Sequence, residues 1–353
     1  MKENTIGIIG KANTGKTRKI LFKEINEEIE KNNNLLILDG KTEYYNHFRD
    51  ELIQKGYTIK VINFKNPLRS DGYDILEYVE YLYNHGEIDH CIEEIRKIGI
   101  YLFKSNFKDS FWIDTVIDYF VGLVLILLKN QTPGSLNFGS ILNIINDAEK
   151  KYKDSTILQT YCDTLSPMDP IYMAISSTVY APQETKNTIL SILKQRLNLY
   201  FMRPNLLNSF HNAYFHVPHL SDHTKLAIFI INYEPLDKLT NILIEQAYDI
   251  AKENNNYFTF ILDGLDELPE IYSIEEMINY ANSGKMKIYA TTKNFDRLAI
   301  EYKRYAFSNV ERKVVTEELY ESDYEDVVAV LPSIHNHSPH YFEFEKFVKD
   351  NCK

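Results

Sequence analysis

The sequence predicts an α/β fold with a mainly parallel central sheet and an inserted all-α domain. Three observations predict it. Short apolar runs alternate with helical stretches at the start of the chain, the pattern turns wholly helical from about residue 80 to about 210, and sheet-type runs return near 225. The implied division is a discontinuous α/β domain of residues 1–79 and 211–353 around a helical insertion of residues 80–210. A chain of 353 residues, 44% of them hydrophobic, can hold two such cores. No Pro-, Gly- or Ser-rich linker divides it, and no internal repeat is visible.

The elements follow in order. "TIGIIG" (5–10) is a short apolar strand ending in glycine. The next stretch, "TRKILFKEINEEIEK", places Ile20, Leu21, Ile25 and Ile29 at helical spacing. "NNLLILDG" (33–40) reads as a buried strand ending in Asp39, and "YTIKVIN" (57–63) as a third strand. Helical runs then dominate, among them "FWIDTVIDYFVGLVLILLK" and "KNTILSILKQRLNLYF". The run "FVGLVLILL" (120–128) is too short to span a bilayer, and Asp114 and Asp118 precede it, so a core helix is expected. "LAIFIINY" (226–233), "YFTFILDG" (257–264) and "MKIYATT" (286–292) bring back strands, separated by the helices "DKLTNILIEQAYDIAKE" and "SIEEMINYANSG".

Charge and cysteine usage limit the partners. The net charge is −11, and a uniformly acidic surface repels nucleic acid, so any DNA contact must use a local basic patch. Lys194, Arg196 and Arg203 are candidates for one, although a solvated helix face is the simpler reading. The 3 cysteines are scattered and odd in number, which points to a reducing cytosol. No signal peptide or transmembrane segment is visible, so a soluble cytosolic chain is expected. The histidines of "FHNAYFHVPHLSDH" and "SIHNHSPH" are irregularly spaced, with no cysteine near, and read as loops rather than as a metal site.

The motif that carries chemistry is "GKANTGKT", residues 10–17, which matches G-x-x-x-x-G-K-[ST] after a strand and before a helix. Gly10, Lys11, Ala12, Asn13, Thr14, Gly15, Lys16 and Thr17, with the adjoining Arg18, form the candidate ATP-binding segment. The glycines let backbone N–H groups face phosphate, Lys16 reaches the β/γ oxygens, and Thr17 can ligate Mg²⁺. "FILDG" supplies the second half, with Asp263 as the acid on the Mg²⁺ side opposite Thr17. This makes a P-loop domain of the RecA-like class. Asp39, Lys41 and Glu43 follow a strand at the edge where ligands bind such sheets, or form a polar turn there.

The ordered set of motifs resembles the type IV coupling proteins of bacterial conjugation, the TraG-like ATPases. The likeness runs through the P-loop, "LDGKTEYY" (compared with Asp-x-Lys-x-Glu), "GYTIKVINFKNPLRSDGYDILEY", "DSFW", "ETKNTILSIL", "LAIFIINYEPL" and the "LDG" strand. The resemblance implies a homo-oligomer, hexameric in that family, that acts on DNA or a relaxase-type nucleoprotein. It also implies a soluble form without the family's membrane segment, either free in the cytosol or brought to the membrane by another chain. Several departures bear on hydrolysis. Gly264 stands where the family has Glu, Lys285 and Lys186 where it has Arg, and Lys293 where it has Gln. Lysine cannot make the bidentate contact of an arginine finger. "LDGLDEL" also resembles the Walker B of NACHT-type ATPases, where later acids serve the site. Asp266 and Glu267 then either orient the attacking water or start the next helix, where negative charge suits the N-terminus. The candidate catalytic set is Lys16, Asp263, Asp266 and Glu267. Two readings stay open: an ATP-driven motor, and a nucleotide-dependent switch or scaffold impaired in hydrolysis.

Overall fold

A computed structural model of the chain describes residues 4–11, 14–104, 110–130, 136–211, 213, 215–222, 225–293, 311–314 and 341–352. Strand β1 (Thr5–Ile9) leads through the Gly-rich loop into a helix. Its first six residues, Lys16–Leu21, are π-helical, and it continues as α1 (Phe22–Glu30). Then come β2 (Asn34–Leu38), α2 (Glu43–Gln54) and β3 (Thr58–Asn63). The helical region holds α3 (Glu77–Asn84), α4 (Ile88–Phe103), α5 (Ser110–Asn130) and α6 (Phe138–Asp147). A small hairpin of β4 (Lys151–Tyr152) and β5 (Ser155–Thr156) follows, then α7 (Ile157–Cys162), α8 (Pro170–Val179), α9 (Gln183–Phe201) and α10 (Pro204–His211). The chain returns through β6 (Leu226–Ile231), α11 (Asp237–Glu253), β7 (Phe258–Leu262), α12 (Ile274–Asn282), β8 (Lys287–Thr292) and β9 (Glu311–Val314). A last helix spans Phe344–Asn351.

Two compact units result: Met1–Tyr73 with Ala213–Ile334, and Asp74–Asn212 with His335–Lys353. The last segment is where this grouping differs from the division read from the sequence, which put it in the α/β part. The reason is packing within the helical unit. Phe344 and Phe347 set their rings against Tyr161, and Glu345 pairs with Lys150 at 2.9 Å.

In the α/β unit, seven strands run in the order β3-β6-β2-β7-β8-β1-β9, all parallel. A parallel sheet covered on both faces needs continuous apolar strands, and β2, β6 and β7 are buried at every residue. On one face Phe22, Ile25 and Ile29 of α1 and Phe48 and Leu52 of α2 close over Leu35, Ile37, Phe229 and Ile261. The P-loop strand β1 lies between β8 and β9, so β8 separates it from β7. This order sets the site, because the ends of β1, β8 and β7 stand side by side at the carboxyl edge.

The opposite edge of the sheet is tied by a buried carboxylate. Glu28, 1% exposed, accepts from Lys31 at 2.8 Å, Asn33 at 2.6 Å, Lys287 at 3.0 Å and Thr259 at 3.2 Å. Burial alone would push its carboxyl up, but these donors outweigh it and hold it below the ordinary value.

In the helical unit, α5 packs against α4, α6, α8 and α9, with Phe103 and Phe120 edge to face at 5.2 Å. The helix has 21 residues, so, unlike the short run read from the sequence, it is long and apolar enough to cross a membrane. Its burial among the neighbouring helices makes it a core helix here. Lys186, on α9, is buried and pairs with Glu149 at 3.6 Å.

Candidate nucleotide-binding site

The loop after β1 is held at both ends. Gly10 N–H donates to Thr292 O at 3.1 Å, which fixes the loop to the end of β8. Thr14 Oγ1 donates to Lys11 O at 2.9 Å. Gly15 sits at φ +86°, a left-handed conformation that L side chains rarely adopt, and a Cβ there would press on the Lys19 side chain at 3.1 Å. A left-handed residue followed by helical ones makes a concavity of N–H groups suited to anions. Ala12 and Asn13 lie outside the described residues.

Lys16 Nζ donates to Gly10 O at 2.5 Å and to Lys11 O at 2.8 Å, so the ammonium lies across the loop that carries it. Burial lowers its pKa from the usual lysine value, against the opposing pull of Asp263, Asp266 and Glu267. Three acids on the far side of the site thus act on the lysine of the loop. Arg18 turns away from it and pairs with Glu43 at 2.9 Å.

Asp263 follows β7 and is reached by three hydroxyls. Thr17 donates to Oδ2 at 3.3 Å, Tyr44 donates to Oδ2 at 2.6 Å, and Thr291 donates to Oδ1. Thr291 Oγ1 also accepts from Gly264 N–H at 2.8 Å. Thr17 and Asp263 bring a hydroxyl and a carboxylate together, hard oxygen donors that suit Mg²⁺. The sequence reading missed Tyr44 and Thr291. The signals were present, as the second half of "KTEYY" and the "TT" ending β8. Asp39 is engaged by backbone N–H groups, although the charge of Asp263 reaches it. It is buried and accepts from Tyr44 N–H at 3.3 Å and Tyr45 N–H at 2.8 Å, capping α2. Burial pushes its carboxyl up to about 7.

Gly264 is left-handed at φ +81°, and the direction of its missing side chain leads to Glu267, whose Oε2 would lie 3.5 Å from a Cβ there. Glu267, in the short helical turn Leu265–Glu267, is exposed and ion-paired with Lys293 Nζ. Asp266 behaves differently: it is 5% exposed, and its Oδ2 accepts from Lys293 N–H at 3.1 Å. Its Oδ1 is buried without a hydrogen-bond partner. Lys285 does not join this site within the chain. It precedes β8 at the opposite edge of the sheet, a strand length of roughly 20 Å away, with its ammonium over the Tyr280 ring. Among the described residues no cluster of three or more His, Cys, Asp or Glu side chains could hold a metal ion, and His223, His335, His337 and His340 lie outside them.

The comparisons with known proteins agree with this architecture. Two structures titled bacterial conjugative coupling protein TrwBdeltaN70 match with TM-scores of 0.57 (unbound monoclinic form) and 0.60 (trigonal form with sulphate), both at 12% identity. They cover 86% and 89% of this chain, which spans 65% and 71% of theirs, about two thirds. The plasmid coupling protein TrwB in complex with ADP and Mg²⁺ matches at a TM-score of 0.57 and 12% identity, over 86% of this chain and 67% of that one. At this identity the likeness establishes the RecA-like P-loop fold. A search of curated protein sequences gave no match. A family model for type IV secretory system conjugative DNA transfer matches residues 8–310, and the chain belongs to that family.

Proposed function

We propose that the chain binds ATP with Mg²⁺ through residues 10–17 and Asp263 and works as the nucleotide-driven motor of a DNA-transfer system. The observation that carries the reading is the convergence of Lys16, Thr17 and Asp263 on one sheet edge in a chain that matches the family over residues 8–310. A TrwB structure titled as a complex with ADP and Mg²⁺ supports the choice of cofactor. DNA or a relaxase-type nucleoprotein is the proposed substrate. The proposed working state is a homo-oligomer, hexameric by resemblance, in the cytosol or at a membrane through a partner chain.

The residues divide the work as follows. Lys16 leaves the loop carbonyls to meet the β/γ-phosphate oxygens as a point charge. Thr17 and Asp263 hold the Mg²⁺, which offsets phosphate charge when bound. Glu267 orients the attacking water in place of a side chain at 264, towards which its carboxylate already reaches. Asp266, buried and bonded to the Lys293 backbone, fixes the turn that presents Glu267. Lys293, just past the end of β8, offsets charge.

One observation favours the second reading, a switch that binds nucleotide and hydrolyses it poorly: Glu267 is engaged by Lys293 rather than held toward the loop. ATP turnover with and without DNA separates the two. DNA-stimulated turnover that collapses in Glu267→Gln supports the motor. Binding without turnover under either condition supports the switch, and absence of ATP binding overturns both.

A further inference from the structure

We propose that Tyr44 is a positioning residue for the metal side of the nucleotide site, holding Asp263 Oδ2 against Thr17. This inference rests on the nucleotide-binding reading above. It also gives a task to "LDGKTEYY", a motif that nucleotide binding did not absorb.

The placement of Tyr44 is over-determined. Asp39 accepts the N–H groups of Tyr44 and Tyr45, so the ring leaves the first turn of α2 at a fixed height. Asp39 does the capping that Thr42 cannot, because Thr42 is itself left-handed at φ +58° and its side chain makes no cap bond. The ring then packs edge to face on Phe22, at 5.7 Å and 67°, against the helix that continues the P-loop. Glu43 adds a second tie to that helix through Arg18. The side chain is 2% exposed, so its hydroxyl needs a partner inside the protein. One partner is the carboxylate opposite Thr17, at 2.6 Å, and Thr17 itself is the other.

The two carboxylate oxygens are treated differently. Oδ1 takes Thr291, whose hydroxyl is anchored in turn by Gly264 N–H. Oδ2 takes Thr17 and Tyr44. Thr17 is itself a candidate metal ligand, and with its hydroxyl engaged elsewhere Tyr44 is the donor left on Oδ2. A phenylalanine would fill the same space and keep the contact with Phe22, but it would leave that oxygen free to turn. The phenol therefore bears on orientation more than on packing.

Calorimetry with ADP as the probe, once in EDTA and once in saturating Mg²⁺, tests the assignment without any turnover. Tyr44→Phe is expected to keep the metal-free affinity within about twofold of wild type and to lose about tenfold of the gain that Mg²⁺ confers, the usual scale for an outer-shell partner of a metal ligand. Tyr45→Phe is the control. Tyr45 packs on Phe229 and its hydroxyl has no bond to Asp263, so both affinities should hold. A Tyr44→Phe variant that keeps the full Mg²⁺ gain overturns the proposal. So does one that loses metal-free and Mg²⁺-bound affinity equally, since that is the mark of a purely structural role. Wild-type protein that binds no ADP, or gains nothing from Mg²⁺, overturns the nucleotide reading itself.

Discussion

At the scale of single residues, the proposed hydrolysis would turn on how Gly264 and Glu267 share one place. A side chain at 264 would have to grow from a left-handed backbone into space that Glu267 already borders. Glu267→Gln should therefore lower turnover by about a hundredfold, the range expected when a group that handles the attacking water is lost, with little change in KM. Steady-state kinetics checks this, and equal rates for wild type and variant would remove Glu267 from the mechanism. Asp266→Asn should act through stability instead, because it alters a buried group that binds backbone. Lys16→Ala should abolish most ATP affinity, read by calorimetry, since Lys16 is the motif lysine that supplies the charge at the β/γ-phosphates. The P-loop and Asp263 were legible because phosphate binding imposes a fixed local spacing. Tyr44 and Thr291 were not. Their roles depend on β2 and β8 lying on either side of β7, and strand order is not written in any local stretch.

At the scale of elements, periodicity did most of the reading. Helices with a clear apolar stripe and strands with unbroken apolar runs were visible as such. The strand β9, "ERKV", was not: it has three charges in four residues and sits at the sheet edge, where an apolar run is not required. The small hairpin β4–β5 was too short to leave a pattern. Length misled for α5, since the most apolar run covers less than half of the helix that forms. The tie between α1, β7 and β8 through Glu28 gives a prediction with a sign. Its carboxyl is held low in the folded state, so its stabilisation is fully present above the unfolded value and is lost as pH falls through the folded one. Glu28→Gln leaves Lys287 without its buried partner and should cost about 3 kcal/mol at neutral pH. The gap from wild type in denaturant melts should narrow once the pH drops below the ordinary glutamate range. A gap that stays constant down to pH 3, roughly a unit below the ordinary glutamate value, would mean that Glu28 acts by shape alone.

At the scale of the whole molecule, net charge governs encounters with DNA. At −11, binding of the isolated chain to random duplex should be weak and should fall steeply as salt rises. Fluorescence anisotropy across a salt series measures this, and tight binding that ignores salt would show that contacts other than phosphate neutralisation dominate. The change from alternating to helical character suggests two units in the sequence, but it carries no sign that the last helix packs with the helical one. That assignment comes from aromatic contacts between residues far apart in the chain.

The place of β1 in the sheet also sets a schedule for the ribosome. Thr5 pairs with Ile288, and Ile6 with Glu311, so β1 leaves the exit tunnel long before either of the two strands that border it. The larger part of the helical unit, Asp74–Asn212, emerges in between and can begin to fold while synthesis continues, with only its last segment following the sheet strands. A nascent chain stopped at Gly284 already carries the whole P-loop and Asp263, but it lacks the strand that separates and spaces them. Such a chain is expected to bind no fluorescent ADP, with binding appearing once β8 has cleared the tunnel. Until then β1 is an unpaired apolar edge, and this is the interval in which a chaperone holding the segment around β1 would raise the yield of active protein.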